Sequence, residues 1–195
     1  VPFCNLFYFL LVPVPSLEPA SEEGHGTGLL RNRTFWVMML LMVCAGACEQ
    51  GVSQWASAFA EKGLGVSKTV GDLAGPLSFA LLMGTARVVY AKLSERVEIT
   101  KYMTLSGCLC LFSYLLVSLS KNPVFGLIGC GICGFSVGVL WPGTFSMASK
   151  RIRGGTAMFA FLALAGDLGC SGGPALVGWA AQRAGDHLQT GILVA

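Results

Sequence analysis

The stretch VFGLIGCGICGFSVGVLWPGTFSMA, at residues 124–148, decides the fold class of this chain. It contains no charged residue. The hydrocarbon core of a bilayer is about 30 Å thick, and an α-helix needs about 20 predominantly apolar residues to cross it. Because the stretch is both apolar and long enough, it predicts a transmembrane helix.

The composition of the whole chain indicates the same class of protein. The chain has 195 residues, of which 54% are hydrophobic, 12% are charged and 26 are glycine. Average soluble domains carry roughly 25% charged residues and about 7% glycine. This composition excludes a disordered chain and most ordinary soluble enzymes, and the net charge of +3 is too small for a nucleic-acid binder.

Further apolar runs on both sides of this stretch predict an all-α polytopic transmembrane helical bundle. The chain begins with Val1 and stops inside an apolar run, so we expect it to be a piece of a longer protein. Residues 16–33 form the longest stretch that is not apolar, and the composition of residues 19–26, PASEEGHG, is typical of a linker. We expect the end of a preceding transmembrane helix at residues 1–15 and a transmembrane bundle at residues 34–195. Within the bundle we expect complete spans at about 34–60, 70–90, 102–120, 124–148 and 156–181, followed by a partial span at 188–195.

Basic residues predict the orientation, because cytoplasmic loops carry an excess of Lys and Arg. We expect the linker and the loops at 91–101 and 149–155 to be cytoplasmic, in a protein of the plasma (inner) membrane. The basic residues on that side are Arg31, Arg33, Lys92, Arg96, Lys101, Lys150, Arg151 and Arg153, whereas the other side has Lys62, Lys68, Lys121 and Arg183.

Three carboxylates fall within the predicted spans, where ionisable groups are rare and costly. Glu49 lies roughly 22 Å along its helix and Asp167 roughly 18 Å along its own, so both lie near the membrane midplane. Glu49 either has a functional role or forms a structural hydrogen bond to a neighbouring helix. Asp167 either takes part in coupling or substrate binding, or it pairs with a group on a helix that packs against it. Asp72 lies near the outer surface, as a first-turn residue that complements the helix dipole or as an outer gate.

A polar stripe follows Glu49 along the same helix. Ser53 lies one turn beyond Glu49, and Gln54 extends a neighbouring stripe that begins at Gln50. Trp55 could stack on a sugar ring or another flat ligand. We therefore predict that Glu49, Gln50, Ser53, Gln54, Trp55 and Asp167 bind the substrate.

Prolines and paired glycines interrupt several spans. Pro76, Pro142 and Pro174 each remove a backbone hydrogen bond and predict a kink. The glycine pairs at 134/138 and 169/173 have the small-xxx-small spacing that allows helices to approach closely. Helix packing and hinges for moving helices both remain open as interpretations of these residues.

The arrangement resembles the C-terminal half of a Major Facilitator Superfamily transporter, with the linker between its two six-helix halves. Residues 84–96, GTARVVYAKLSER, look like the second copy of the cytoplasmic loop motif of that family. The resemblance implies that Arg87 and Arg96 hold a gate. Residues 173–178, GPALVG, resemble a pattern of the eleventh helix, and residues 46–55, GACEQGVSQW, are similar to the seventh helix of fucose-permease-like sugar–proton symporters.

These features together predict a secondary active transporter that moves a small polar organic solute by alternating access. The resemblance favours a sugar as the solute, and the deep carboxylates favour protons as the coupling ion. In the branch that residues 46–55 resemble, the main proton-carrying carboxylate lies in the N-terminal half, which would make Glu49 a substrate-binding or auxiliary group. The expected partners are the solute, protons, the lipid bilayer and the missing N-terminal half, with no nucleic acid, cofactor, metal or catalytic residue. The alternatives are a receptor or scaffold that does not transport, and a membrane-embedded transferase.

Overall fold

The computed structural model describes residues 2–12, 26–63, 65, 67–94, 96–120 and 122–194. Within these ranges the secondary structure is helical and contains no strand. The predicted all-α fold class is therefore confirmed. The helices are α1 (Pro2–Leu11), α2 (Gly26–Leu30), α3 (Arg33–Ser53), α4 (Ala56–Ala58), a π-helical turn (Phe59–Gly63), α5 (Lys68–Leu93), α6 (Ile99–Leu119), α7 (Pro123–Val137), α8 (Leu140–Arg151), α9 (Gly155–Arg183) and α10 (Leu188–Val194).

Five segments in the described part of the chain are long and apolar enough to cross a membrane. They coincide with the five complete spans that hydropathy predicts, although most of them extend a few residues further. Their bounds are Arg33–Ser53, Lys68–Leu93, Ile99–Leu119, Val124–Arg151 and Gly155–Arg183.

Side-chain caps set the starts of three of these helices. The Asn32 side chain accepts a hydrogen bond from the amide of Thr34 at the start of α3, and Asn122 caps the amide of Val124 in the same way. The Ser67 hydroxyl accepts from the amide of Val70. Each cap satisfies an amide that has no partner inside its own helix, so these short polar side chains define the helix starts.

The predicted linker contains a short helix that the sequence did not indicate. Helix α2 ends three residues before α3 begins, and Leu29 is buried in an apolar cluster. The Trp36 indole donates a hydrogen bond of 2.7 Å to the carbonyl of Leu30. The end of the predicted linker therefore packs onto the bundle, while residues 16–25 lie outside the described residues.

Two helix pairs make the most extensive contacts, α3 with α9 and α5 with α7. Gly169 and Gly173 of α9 face the backbone of Val43 and Ala47 so closely that a Cβ atom at either glycine would overlap it. Gly134 of α7 lies equally close to the backbone of α5. The glycine spacing thus serves close helix approach, as the packing interpretation predicts.

The fourth span is broken at its centre, between Val137 and Leu140. Pro142 has no amide N–H and so cannot donate to the carbonyl of Gly138, four residues earlier. The interruption therefore falls one turn before the proline, and the span predicted at residues 124–148 consists of two helices, α7 and α8. Pro76 and Pro174 differ, because each lies inside a continuous helix.

Candidate functional site

The two deep carboxylates lie on neighbouring helices that pack extensively against each other. Glu49 is half-buried and lies in the last turns of α3, near the end of the span Arg33–Ser53. Asp167 lies near the middle of α9. Both carboxylates are within electrostatic range of the Cys170 thiol. The fold therefore brings together two groups that are more than a hundred residues apart in the sequence.

Arg87 of α5 extends toward the same region. Its Nε donates a hydrogen bond of 3.2 Å to the carbonyl of Gly138, and Nη2 lies 3.9 Å from the Met83 sulfur. The guanidinium and the Glu49 carboxylate are within electrostatic range of each other. Arg87, for which the family resemblance implies a role in a gate, therefore has its head group against the centre of the fourth span.

The carbonyl of Gly138 is available to Arg87 because of Pro142. An unpaired carbonyl in the hydrocarbon region costs several kcal/mol, so a donor from protein or cavity water must replace the missing amide. The Arg87 Nε supplies that donor. We refer to Glu49, Arg87, the Gly138 carbonyl and Asp167 as the central polar cluster.

Trp141 lies next to this cluster at the start of α8. Its ring is so close to Gly166 that a Cβ atom there would overlap it, and it also packs against Phe145 at a centroid distance of 6.3 Å. The indole nitrogen is buried and has no acceptor among the described residues. Sequence reasoning missed Trp141. Its position directly before Pro142 was the signal that could have identified it.

The other predicted substrate residues are partly engaged in local contacts. The Ser53 hydroxyl donates to the Gln50 side chain at 3.3 Å, and Gln54 is exposed. The Trp55 indole donates a hydrogen bond of 3.1 Å to the carbonyl of Pro174, and its ring lies against Gly178. Trp55 therefore connects the end of α3 to α9 in this conformation, rather than leaving its indole N–H free for a ligand.

The remaining two predicted gating residues lie away from the central polar cluster. Asp72 is exposed in the first turns of α5, where its carboxylate accepts a hydrogen bond from the Ser57 hydroxyl. Arg96 is exposed in the turn after α5, and its amide donates to the carbonyl of Leu93 at 2.9 Å. Asp72 thus lies near the start of α5 and Arg96 just after its end, at opposite ends of this helix.

A separate groove of about 690 Å³ lies between α3, α6, α8 and α10. Its walls are mostly apolar, with Leu41, Leu111 and Met147 among the lining residues, and it contains none of the charged side chains of the central polar cluster. The described residues also contain no group of His, Cys, Asp and Glu side chains that could hold a metal ion.

Five apolar segments long enough to cross a bilayer define the class of an integral membrane protein. Residues 1–174 match the family model of the Major Facilitator Superfamily, and the chain therefore belongs to that family of membrane transporters. No curated protein matches the chain.

Proposed function

We propose that this chain forms the C-terminal half of a secondary active transporter that moves a small polar organic solute by alternating access. In this proposal, residues 1–15 end a helix of the N-terminal half, residues 16–33 are the cytoplasmic linker and residues 34–195 form the C-terminal bundle. The two halves enclose a site near the midplane, and this chain supplies one wall of it.

The observation that supports the proposal best is the central polar cluster. It contains one guanidinium and two carboxylates from three apolar helices, with Glu49 in electrostatic range of Arg87 and both carboxylates in range of Cys170. Charges at this depth are costly in lipid, and they are found facing a bundle interior or a water-filled cavity. A polar solute that crosses the membrane needs such a cavity.

The proposed solute is a sugar and the proposed coupling ion is a proton. The similarity of residues 46–55 to sugar–proton symporters supports the first assignment. The second rests on Glu49 and Asp167, since a carboxylate whose exposure changes between two states can bind a proton on one side and release it on the other. The proposed site continues along the end of α3 and into the turn that follows. The residues that line it there are Gln50, Ser53, Gln54 and Trp55.

The excess of basic residues in the linker and in loops 91–101 and 149–155 supports a cytoplasmic location for these segments. Arg96 then lies at the inner face and Asp72 at the outer face, where each belongs to a gate. The contact between Ser57 and Asp72 connects the end of the first span to the start of the second at the outer face.

Proton coupling can be tested with the double variant Glu49→Gln, Asp167→Asn of the full-length transporter. In proteoliposomes we expect uptake driven by a pH gradient to fall at least tenfold, because neither amide can carry the proton. Exchange of labelled for unlabelled solute without a gradient should fall less. The matched control is Glu98→Gln, which removes an exposed carboxylate that pairs with Lys101 at 3.3 Å.

Unchanged gradient-driven uptake in the double variant would exclude Glu49 and Asp167 as coupling groups. A full-length protein that binds a solute without exchanging it would instead favour a receptor built on a transporter fold.

A further inference from the structure

The charge of Arg87 has no direct counter-ion in the described part of the chain. The ion pair found there joins Lys101 to Glu98, and no carboxylate lies at ion-pair distance from Arg87. Glu49 is near enough to attract the guanidinium but does not contact it. A cation at this depth without a bonded anion is costly, so an anion is expected to complete its surroundings.

The hydrogen bonds of Arg87 leave a binding edge available. A guanidinium has five N–H donors in one plane. The Nε hydrogen is used by the Gly138 carbonyl, and Nη2 has only the weakly accepting Met83 sulfur. Arg87 is also exposed in the isolated chain, so a solute that lies against this face of the bundle can reach it. The remaining N–H groups on the two Nη atoms have the paired geometry that suits a carboxylate.

The neighbouring charges limit what kind of anion can bind. Glu49 lies within range of the guanidinium, and Asp167 lies near Glu49 on the far side of Cys170. An anion bound at Arg87 is attracted by the guanidinium but repelled by Glu49 and Asp167, so a singly charged group is favoured over a doubly charged phosphate. The buried indole N–H of Trp141, which has no acceptor among the described residues, is a neutral donor suited to a hydroxyl or carbonyl oxygen.

We propose that Arg87 binds the carboxylate of the transported solute, so that the substrate is a hydroxylated monocarboxylate such as a sugar acid rather than a neutral sugar. This inference rests on the proposed transport function and narrows its substrate class. Arg87 then has two roles: its Nε holds the Gly138 carbonyl, and its Nη atoms hold the substrate.

The experiment compares matched neutral and acidic solutes in proteoliposomes that contain the full-length transporter at pH 7. The probes are galactose with galacturonate and glucose with glucuronate. We expect counterflow of at least one uronate to exceed that of its neutral partner. Arg87→Gln should reduce uronate counterflow at least tenfold, because one charge-assisted contact is lost. Arg183→Gln is the matched control, since Arg183 lies over the Trp179 ring at the end of α9.

A second variant separates substrate binding from a merely structural role. Pro142→Ala restores an amide N–H that can reach the Gly138 carbonyl. If Arg87 served only that carbonyl, adding Pro142→Ala to Arg87→Gln would restore uronate counterflow. Arg87→Gln alone should lower thermal stability in detergent, because the Gly138 carbonyl loses its donor. We expect the double variant to regain that stability, while its uronate counterflow stays at least tenfold below that of the wild type.

The possible outcomes distinguish this inference from the proposed function. Counterflow of the neutral sugars alone, unaffected by Arg87→Gln, would overturn the inference and leave the transport function standing. Restoration of uronate counterflow by Pro142→Ala would also overturn it. Exchange of none of the four probes by the folded protein would contradict the proposed sugar-type substrate itself and, with it, this inference.

Discussion

Trp55 illustrates how one residue can join two helices at a point where the chain turns. It lies two residues beyond the end of α3 at Ser53, and its indole N–H donates to the Pro174 carbonyl on α9. The ring also fills the space above Gly178, where a Cβ atom would lie 2.9 Å from it. The side chain therefore contributes both a hydrogen bond and packing to the same junction.

Replacing Trp55 with Phe separates these two contributions. The variant keeps an aromatic ring at the junction but removes the donor to Pro174. We expect a loss of about 1 kcal/mol in the free energy of unfolding, the usual net contribution of one hydrogen bond. Thermal unfolding of the full-length protein in detergent would measure it.

The control for this prediction is Trp179→Phe. Trp179 is an exposed residue whose indole has no hydrogen bond in the described structure, so its replacement should leave stability nearly unchanged. Equal melting temperatures for Trp55→Phe and the wild type would show that the bond to Pro174 does not stabilise the fold.

At the scale of elements, the contact between α3 and α9 depends on direct contact between backbones. Gly169 meets the Val43 carbonyl and the Ala47 amide, and Gly173 meets the backbone of Ala47. Gly46 on α3 meets the backbone of Gly166 from the opposite direction. Because no side chain separates the helices, their spacing is set by the absence of Cβ atoms.

Gly169→Ala should therefore force the two helices apart. We expect it to destabilise the protein by about 1–3 kcal/mol, as overpacking of a close contact usually does. Gly172→Ala is a matched control in the same helix, because a Cβ atom there meets nothing within 4 Å. That control should be neutral or slightly stabilising, since alanine favours helix more than glycine. Equal melting temperatures for the two variants would contradict the described α3–α9 contact.

Hydropathy alone predicted the five spans, because a bilayer requires about 20 apolar residues regardless of how the helices pack. The depth of Glu49 and Asp167 followed from counting residues along those spans. The position of the Arg87 head group did not follow, because it depends on where α5 crosses the fourth span and on the carbonyl that Pro142 leaves unpaired. The helix in the linker was missed because Leu29 gains its burial from residues distant in the sequence.

At the scale of the whole molecule, α3 and α5 contact each other little, although each packs extensively on another helix. Helix α3 packs on α9, and α5 packs on α7, which also packs on α6. The attraction between Glu49 and Arg87 connects α3 to α5, since one residue lies on each helix. Protonation of Glu49 would remove that attraction and loosen this connection.

The proposed orientation can be tested with two single-cysteine labelling sites in the full-length protein. Arg153 and His187 are both exposed and lie in loops at opposite ends of α9. In intact cells, a membrane-impermeant maleimide should label His187→Cys. Arg153→Cys should be labelled only after the membrane is permeabilised. The wild type measures the background from native cysteines, and the reverse pattern would show that the cytoplasmic assignment of the loops is inverted.

The break between α7 and α8 also has a mechanical consequence. A continuous helix resists bending because each turn is tied to the next by backbone bonds, but at Gly138 one of those ties comes from a side chain of another helix. The stiffness of the fourth span at its centre is therefore set partly by α5. A displacement of α5 would therefore move the Gly138 carbonyl through Arg87 and change the angle between α7 and α8.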